Sequence, residues 1–221
     1  RFSAFYENFV NGQFPVRFLS RLNDGFGYPV ANFLYPLFMY IGVPIKALGF
    51  SFVDTIKIIF GLSFLSGALF SFLWLKKLFD EKSALIGSIV YSLFPYHLWD
   101  LYKRGSVGEL LAFAIIPFIL WQVERKNLTL VSLGIGALVV SHNTLALLFL
   151  PVVTGYMILN TNLKFMLLTF VLGFGLSSFF WIPAIYDLKF TIFSQTSISN
   201  FKDYFINQTN FNLLGFIFPV L

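Results

Sequence analysis

Eighteen consecutive residues, Ile58 to Leu75, carry no charge. As a helix they run about 27 Å, close to the roughly 30 Å hydrocarbon layer of a bilayer. Similar uncharged runs follow at Ala84–Trp99, Leu110–Val123, Leu128–Leu159 and Phe165–Tyr186, apart from a charge that His97 or His142 can take. A soluble domain has about 25% charged residues, whereas this 221-residue chain has 11%, with 57% hydrophobic residues. The runs therefore predict an all-α, polytopic integral membrane helix bundle. Only helices or closed barrels satisfy their backbone polar groups inside lipid, and runs this long are helical in length.

The run Leu128–Leu159 is too long for one crossing, about 48 Å as a single helix. Ser141-His142-Asn143-Thr144 divides it, which predicts two short spans or a hairpin with that polar tetrad at its tip, below the membrane surface. Residues 1–54 read differently. Asn11-Gly12-Gln13-Phe14-Pro15 and Asp24-Gly25-Phe26-Gly27 are turn sequences. Pro29, Pro36 and Pro44 interrupt the uncharged stretch 25–45, so short interfacial or re-entrant helices are expected there. The organisation expected is an amphipathic loop over 1–54, a bundle of about six spans over 55–186, and a loop with the start of a further span over 187–221. A start at Arg1 and a stop inside the apolar run Phe211–Leu221 are expected of a piece cut from a longer protein.

Cations set the expected orientation. Short loops on one side carry Lys76, Lys77, Lys82, Arg125, Lys126 and Lys164, whereas those on the other carry only Lys103 and Arg104. The first side is then cytoplasmic. The longer segments add Arg1, Arg17, Arg21, Lys46, Lys57, Lys189 and Lys202 to the outer side, against the rule. Scattered cations of this kind set topology and exclude a nucleic-acid partner; with no cysteine in the chain, disulfides and thiolate metal sites are excluded as well.

The densest polar sequence is Trp99-Asp100-Leu101-Tyr102-Lys103-Arg104-Gly105-Ser106-Val107-Gly108-Glu109, with two carboxylates and two cations between apolar runs. With His142 and Asn143 it falls on the outer face. Carboxylates next to an arginine at a membrane surface suit group transfer from a lipid-linked phosphate. One carboxylate can take a proton from an attacking hydroxyl, and an arginine fork or a carboxylate-held divalent cation can neutralise the leaving phosphate. The candidate catalytic residues are Asp24, Asp100 and Glu109; the candidate substrate and phosphate ligands are Arg104, His142, Asn143 and Asp187. Plainer readings stand beside these. Asp100 can simply pair with Arg104, Glu109 can favour the start of the next helix, His142-Asn143 can be a hydrogen-bonded hairpin tip, and Asp24 can be only a turn residue.

Asn11-Gly12-Gln13-Phe14-Pro15-Val16-Arg17, Gly25-Phe26-Gly27-Tyr28-Pro29 and Asn32-Phe33-Leu34-Tyr35-Pro36-Leu37 resemble the opening of bacterial membrane proteins labelled 6-pyruvoyl-tetrahydropterin synthase-related. Arg104-Gly105-Ser106 with Glu109, Ser141-His142-Asn143, and Trp181-Ile182-Pro183-Ala184 with Asp187 follow in the same order. That family looks like GT-C-type glycosyltransferases, and the pterin chemistry of its label belongs to a soluble enzyme. The resemblance implies a GT-C-like bundle in the bacterial cytoplasmic membrane, with an outward-facing site. It also implies membrane lipid and a polyprenyl-phosphate-linked sugar as partners, with transfer to a cell-envelope acceptor. Residues 1–54 would be the first outer loop of such a fold. Its essential acid is expected upstream of Arg1, with Asp24 as a substitute. A transporter or flippase for a lipid-linked glycan, and a non-catalytic membrane subunit, are the alternative expectations.

Overall fold

The computed structural model describes residues 1–191, and the expected span after Asn212 lies outside them. The described chain is helical, with a single isolated antiparallel bridge, Leu19 to Tyr28. Helices α1 (Phe2–Val10) and α2 (Leu37–Ala47) flank a turn-rich segment with a short 3-10 turn at Pro29–Asn32. Then come α3 (Phe52–Leu78), α4 (Glu81–Ser92), α5 (Pro95–Trp99), α6 (Val107–Glu124), α7 (Leu128–Ser141), α8 (Asn143–Asn160) and α9 (Leu163–Asp187). Four helices, α3, α6, α8 and α9, are long and apolar enough to cross a bilayer.

Caps set several of these boundaries. Ser51 Oγ accepts from Asp54 N at the start of α3, and an Asp80 carboxylate oxygen accepts from Lys82 N and Ser83 N at the start of α4. Asn127 and Asn162 Oδ1 accept from Leu130 N and Phe165 N at α7 and α9. Each such cap is worth about 1 kcal/mol.

The run expected as one span over 84–99 is two helices. Proline at the first position of a helix loses no intrahelical bond, but it cannot continue the helix before it. Pro95 accordingly opens α5 after a break at Leu93-Phe94. The hairpin expected over 128–159 does form, with His142 as the single residue between α7 and α8.

Lipid supplies no hydrophobic drive between helices, so close approach depends on small residues. Three helices bury residues at a spacing of four: Thr55, Ile59, Ser63, Gly67 and Ser71 on α3; Ala84, Ser88 and Ser92 on α4; Thr169, Gly173 and Ser177 on α9. The stripe on α3 faces α6, where a Cβ built on Gly67 would lie 3.6 Å from the Ala114 Cα. The stripe on α9 faces α7, where a Cβ on Gly173 would lie 2.7 Å from Ile135 Cγ2 and 3.0 Å from the Ser132 carbonyl. Helix α6 sits inside, packed by α3, α7 and α8, with twelve of its eighteen residues buried.

One apolar core runs from Ala112 to Met157 and a second, under the N-terminal segment, joins Phe2, Phe5, Val16, Leu19, Ala31 and Met39. At the end of the bundle where α6 stops, Trp74 Nε1–H donates to the Tyr156 hydroxyl at 3.0 Å, and that hydroxyl donates to Glu124, joining α3, α8 and α6. Gly173→Leu is expected to force α7 and α9 apart and lower the melting temperature in detergent, an overpacking cost of about 1–3 kcal/mol; Gly175→Leu, where a Cβ meets nothing within 4 Å, is the neutral control.

Candidate functional site

Tyr96, Asp100 and Arg104 are spaced by four residues, which places them on one helical face. The chain realises this through α5 and a wider π-type turn over Asp100–Arg104, closed by a 2.7 Å bond from Gly105 N–H to the Asp100 carbonyl. Gly105 ends the turn at φ +66°, a left-handed conformation that glycine adopts without cost. The chain then reverses into α6, and Glu109 arrives in its first turn.

Glu109 is the centre of the cluster. It is 2% exposed, and both of its oxygens are engaged. Arg104 Nη2 lies 2.7 Å from Oε1 and Nη1 donates to Oε2 at 3.2 Å, a two-pronged pair. The Tyr96 hydroxyl donates to Oε2 at 2.9 Å and itself accepts from Arg104 Nη1 at 2.8 Å. His142 Nε2 lies 3.4 Å from Oε1. The other ring nitrogen, Nδ1, accepts from Leu145 N at 3.3 Å and caps α8. That acceptor role assigns the neutral tautomer with its proton on Nε2, directed at Glu109. Burial first, and Arg104 second, hold the His142 pKa below its usual value, against the pull of Glu109.

Asp100 is different: it is fully buried, and neither carboxylate oxygen has a well-formed hydrogen bond. Burial and then the Glu109 charge push its pKa from 3.8 up to about 7; Arg104 and the Ser106 amide only partly oppose them. The arginine thus pairs with Glu109 rather than with Asp100. The arginine side chain stays 44% exposed, and its Nε–H and the second Nη2–H have no partner among the described residues.

The roof over this cluster comes from residues 32–35. Asn143 Nδ2 donates to the Phe33 carbonyl at 3.3 Å, and Asn32 Nδ2 donates to Asp187 at the end of α9. Tyr35 packs on His142 with ring centroids 4.6 Å apart, and a Cβ on Gly108 would collide with Tyr35 and with the Ser141 carbonyl. Next to His142 begins an apolar groove of about 830 Å³ between α7, α8 and α9, lined by Phe33, Asn143, Leu147, Leu150, Phe174 and Trp181 among others. A second opening of about 540 Å³ continues it along Leu147, Leu150 and Phe174 towards Ile158.

Of the residues expected from sequence, Arg104, Glu109 and His142 are in direct contact, and Asp100 lies under the same electrostatic influence. Asn143 borders the groove. Asp187 instead anchors the roof. Asp24 stands exposed on a tight turn at φ +53° and makes no ion pair or side-chain hydrogen bond among the described residues. Among the described residues no three His, Asp or Glu side chains gather as a metal-binding group. Sequence reasoning overlooked Tyr96, whose signal was its spacing to Asp100 and Arg104, and gave Asn32 and Tyr35 no role of their own.

No family model matches the chain, and no solved structure matches it. An uncharacterized protein of Lactococcus lactis subsp. cremoris (strain MG1363) is 26% identical over 210 residues, covering 85% of this chain and 34% of its own length. The chain therefore spans about a third of that curated relative.

Two outcomes are expected. Removing one partner of a buried pair strands the other charge, at a cost of roughly 3–5 kcal/mol. Arg104→Met should fall at the lower end of that range, because Arg104 is half-exposed, and adding Glu109→Gln should restore most of the loss; melting curves of the four proteins in detergent measure this cycle. Asp100 holds its proton in the folded protein up to about pH 7 but releases it near 3.8 when unfolded. Stability should therefore fall as pH rises from about 4 to about 7 and then level off. Asp100→Asn should flatten that fall.

Proposed function

We propose that this chain is part of a membrane glycosyltransferase that moves a sugar from a polyprenyl-phosphate donor to a cell-envelope acceptor on the outer face of the bacterial cytoplasmic membrane. The observation that carries this reading is a half-exposed Arg104, held by buried Glu109, in a cluster whose His142 is followed by Asn143 at the edge of an apolar groove. A lipid-linked phosphate needs both features, a fork for its oxygens and an apolar path for its chain. The resemblance to GT-C-like membrane proteins points the same way.

In this mechanism Arg104 binds the donor phosphate and stabilises the charge that grows on it as the bond from the sugar carbon to the phosphate oxygen breaks. Glu109, with both oxygens engaged, orients Arg104 and His142. His142 directs its Nε2 proton at Glu109 and helps to hold that carboxylate in place beneath the arginine. The proton of the attacking hydroxyl passes to the departing phosphate, whose oxygens can hold it; Asp100, fully buried, does not reach that hydroxyl.

The test uses the full-length protein in proteoliposomes with a radiolabelled polyprenyl-phosphate sugar and an acceptor extract. Arg104→Lys keeps the charge and loses the fork, so turnover should fall about 100-fold or more with little change in melting temperature. Full turnover in that variant removes Arg104 from the mechanism. Movement of labelled lipid across the bilayer without chemical conversion establishes a flippase instead.

A further inference from the structure

Residues 14–18 pass beside α9 well before that helix ends. Arg17 Nη2 donates to the Phe179 carbonyl at 3.4 Å, Val16 N–H donates to the Tyr40 hydroxyl at 3.1 Å, and the Tyr40 ring centroid lies 6.4 Å from that of Phe179. Phe179 is sixteen residues from the first residue of α9, about 24 Å along the helix axis, against a hydrocarbon layer of about 30 Å. A crossing by α9 therefore carries this loop to the lipid boundary on the Glu109 side. Trp181, two residues further along, is the residue type that marks such a boundary.

Two features of the loop become intelligible at that depth. Phe14 is 76% exposed and Phe18 43%, an arrangement unfavourable in water and favourable against lipid. Phe18 packs against Gly27, where a Cβ would overlap its ring, so the neighbouring Phe26, 83% exposed, extends the same patch. Arg17, between Phe14 and Phe18 in sequence, has no carboxylate partner among the described residues, whereas Arg21 has Glu7 at 3.6 Å and Arg104 has Glu109. One long bond to a neutral carbonyl does not neutralise a guanidinium near hydrocarbon, and such a group draws in an anion. The anion present in every bilayer at that level is the phosphate of a phospholipid, which matches the arginine fork.

We propose that residues 14–18 form a loop inserted into the leaflet on the Glu109 side, and that Arg17 binds the phosphate of an anionic phospholipid there. This site is separate from the Arg104 pocket and does not rest on the function proposed for that pocket.

Two measurements on the full-length protein test it, and neither reads turnover. In the first, phosphatidylglycerol is titrated into detergent-solubilised protein while the melting temperature is followed. The wild type should be stabilised, and Arg17→Gln, which keeps a donor for the Phe179 carbonyl, should need about fivefold more lipid for the same effect. An unchanged lipid response in Arg17→Gln overturns the proposal. Equal stabilisation by inorganic phosphate makes the site one for free anions and overturns the lipid assignment. In the second, an environment-sensitive fluorophore is attached to single cysteines at Phe14, Phe18 and, as a control, exposed Lys82, in nanodiscs of phosphatidylglycerol and phosphatidylcholine. Blue-shifted emission at 14 and 18 but not at 82 supports insertion. Water-like emission at both 14 and 18 overturns it, even if the Arg17 variant fails to fold.

Discussion

A carboxylate with almost no exposure, at the start of the most buried helix of the bundle, dictates much of what surrounds it. Glu109 in this position is tolerable only if its charge is answered, and three elements converge to answer it. The turn after α5 brings Arg104, α5 itself brings Tyr96, and the α7–α8 corner brings His142. Each of these elements is irregular: a helix of five residues, a π-type turn, and a one-residue corner. Their shapes make sense as ways of delivering donors to one carboxylate rather than as efficient ways of crossing a membrane. Asp100 shows the contrasting solution. With no charged side chain paired to it, the group holds on to its proton instead.

The rest of the bundle permits this convergence by packing closely elsewhere. Small residues spaced by four, Ser63, Gly67 and Ser71 on α3 and Thr169, Gly173 and Ser177 on α9, let those helices approach α6 and α7 with little side chain between them. Such contacts gain through dispersion and lose quickly with added volume. Helix α8 lacks an equivalent stripe towards α9, and the two touch little. The groove lies where that close packing stops, and its head meets the polar corner at Asn143. Charge and apolar volume thus adjoin for a packing reason that is independent of the chemistry proposed for them.

Residues 29–36 link the N-terminal segment to the site. Asn32 and Phe33 are held by α9 and α8, through Asp187 and Asn143, and Tyr35 covers His142. A segment read from its prolines as short and interfacial therefore acts as a roof. Its polar residues are common types in loops, and nothing local distinguishes an asparagine that bonds a distant aspartate from one that faces water.

Long uncharged runs determine helices in a bilayer, because only a helix or a closed barrel satisfies the backbone there. The sequence by itself therefore determined the all-helical membrane bundle, the hairpin tip at His142, and the grouping of Arg104, Glu109 and His142 at one end. These follow from hydropathy and from the alternation of direction between consecutive spans. Only the tertiary structure decided that α6 lies inside while α3, α8 and α9 lie outside, since all four are comparably apolar. It alone paired Arg104 with Glu109 instead of with Asp100, four residues away, and drew in Tyr96. Pairing within such a cluster depends on ångström-scale distances across separate helices, set by how closely small residues let those helices approach.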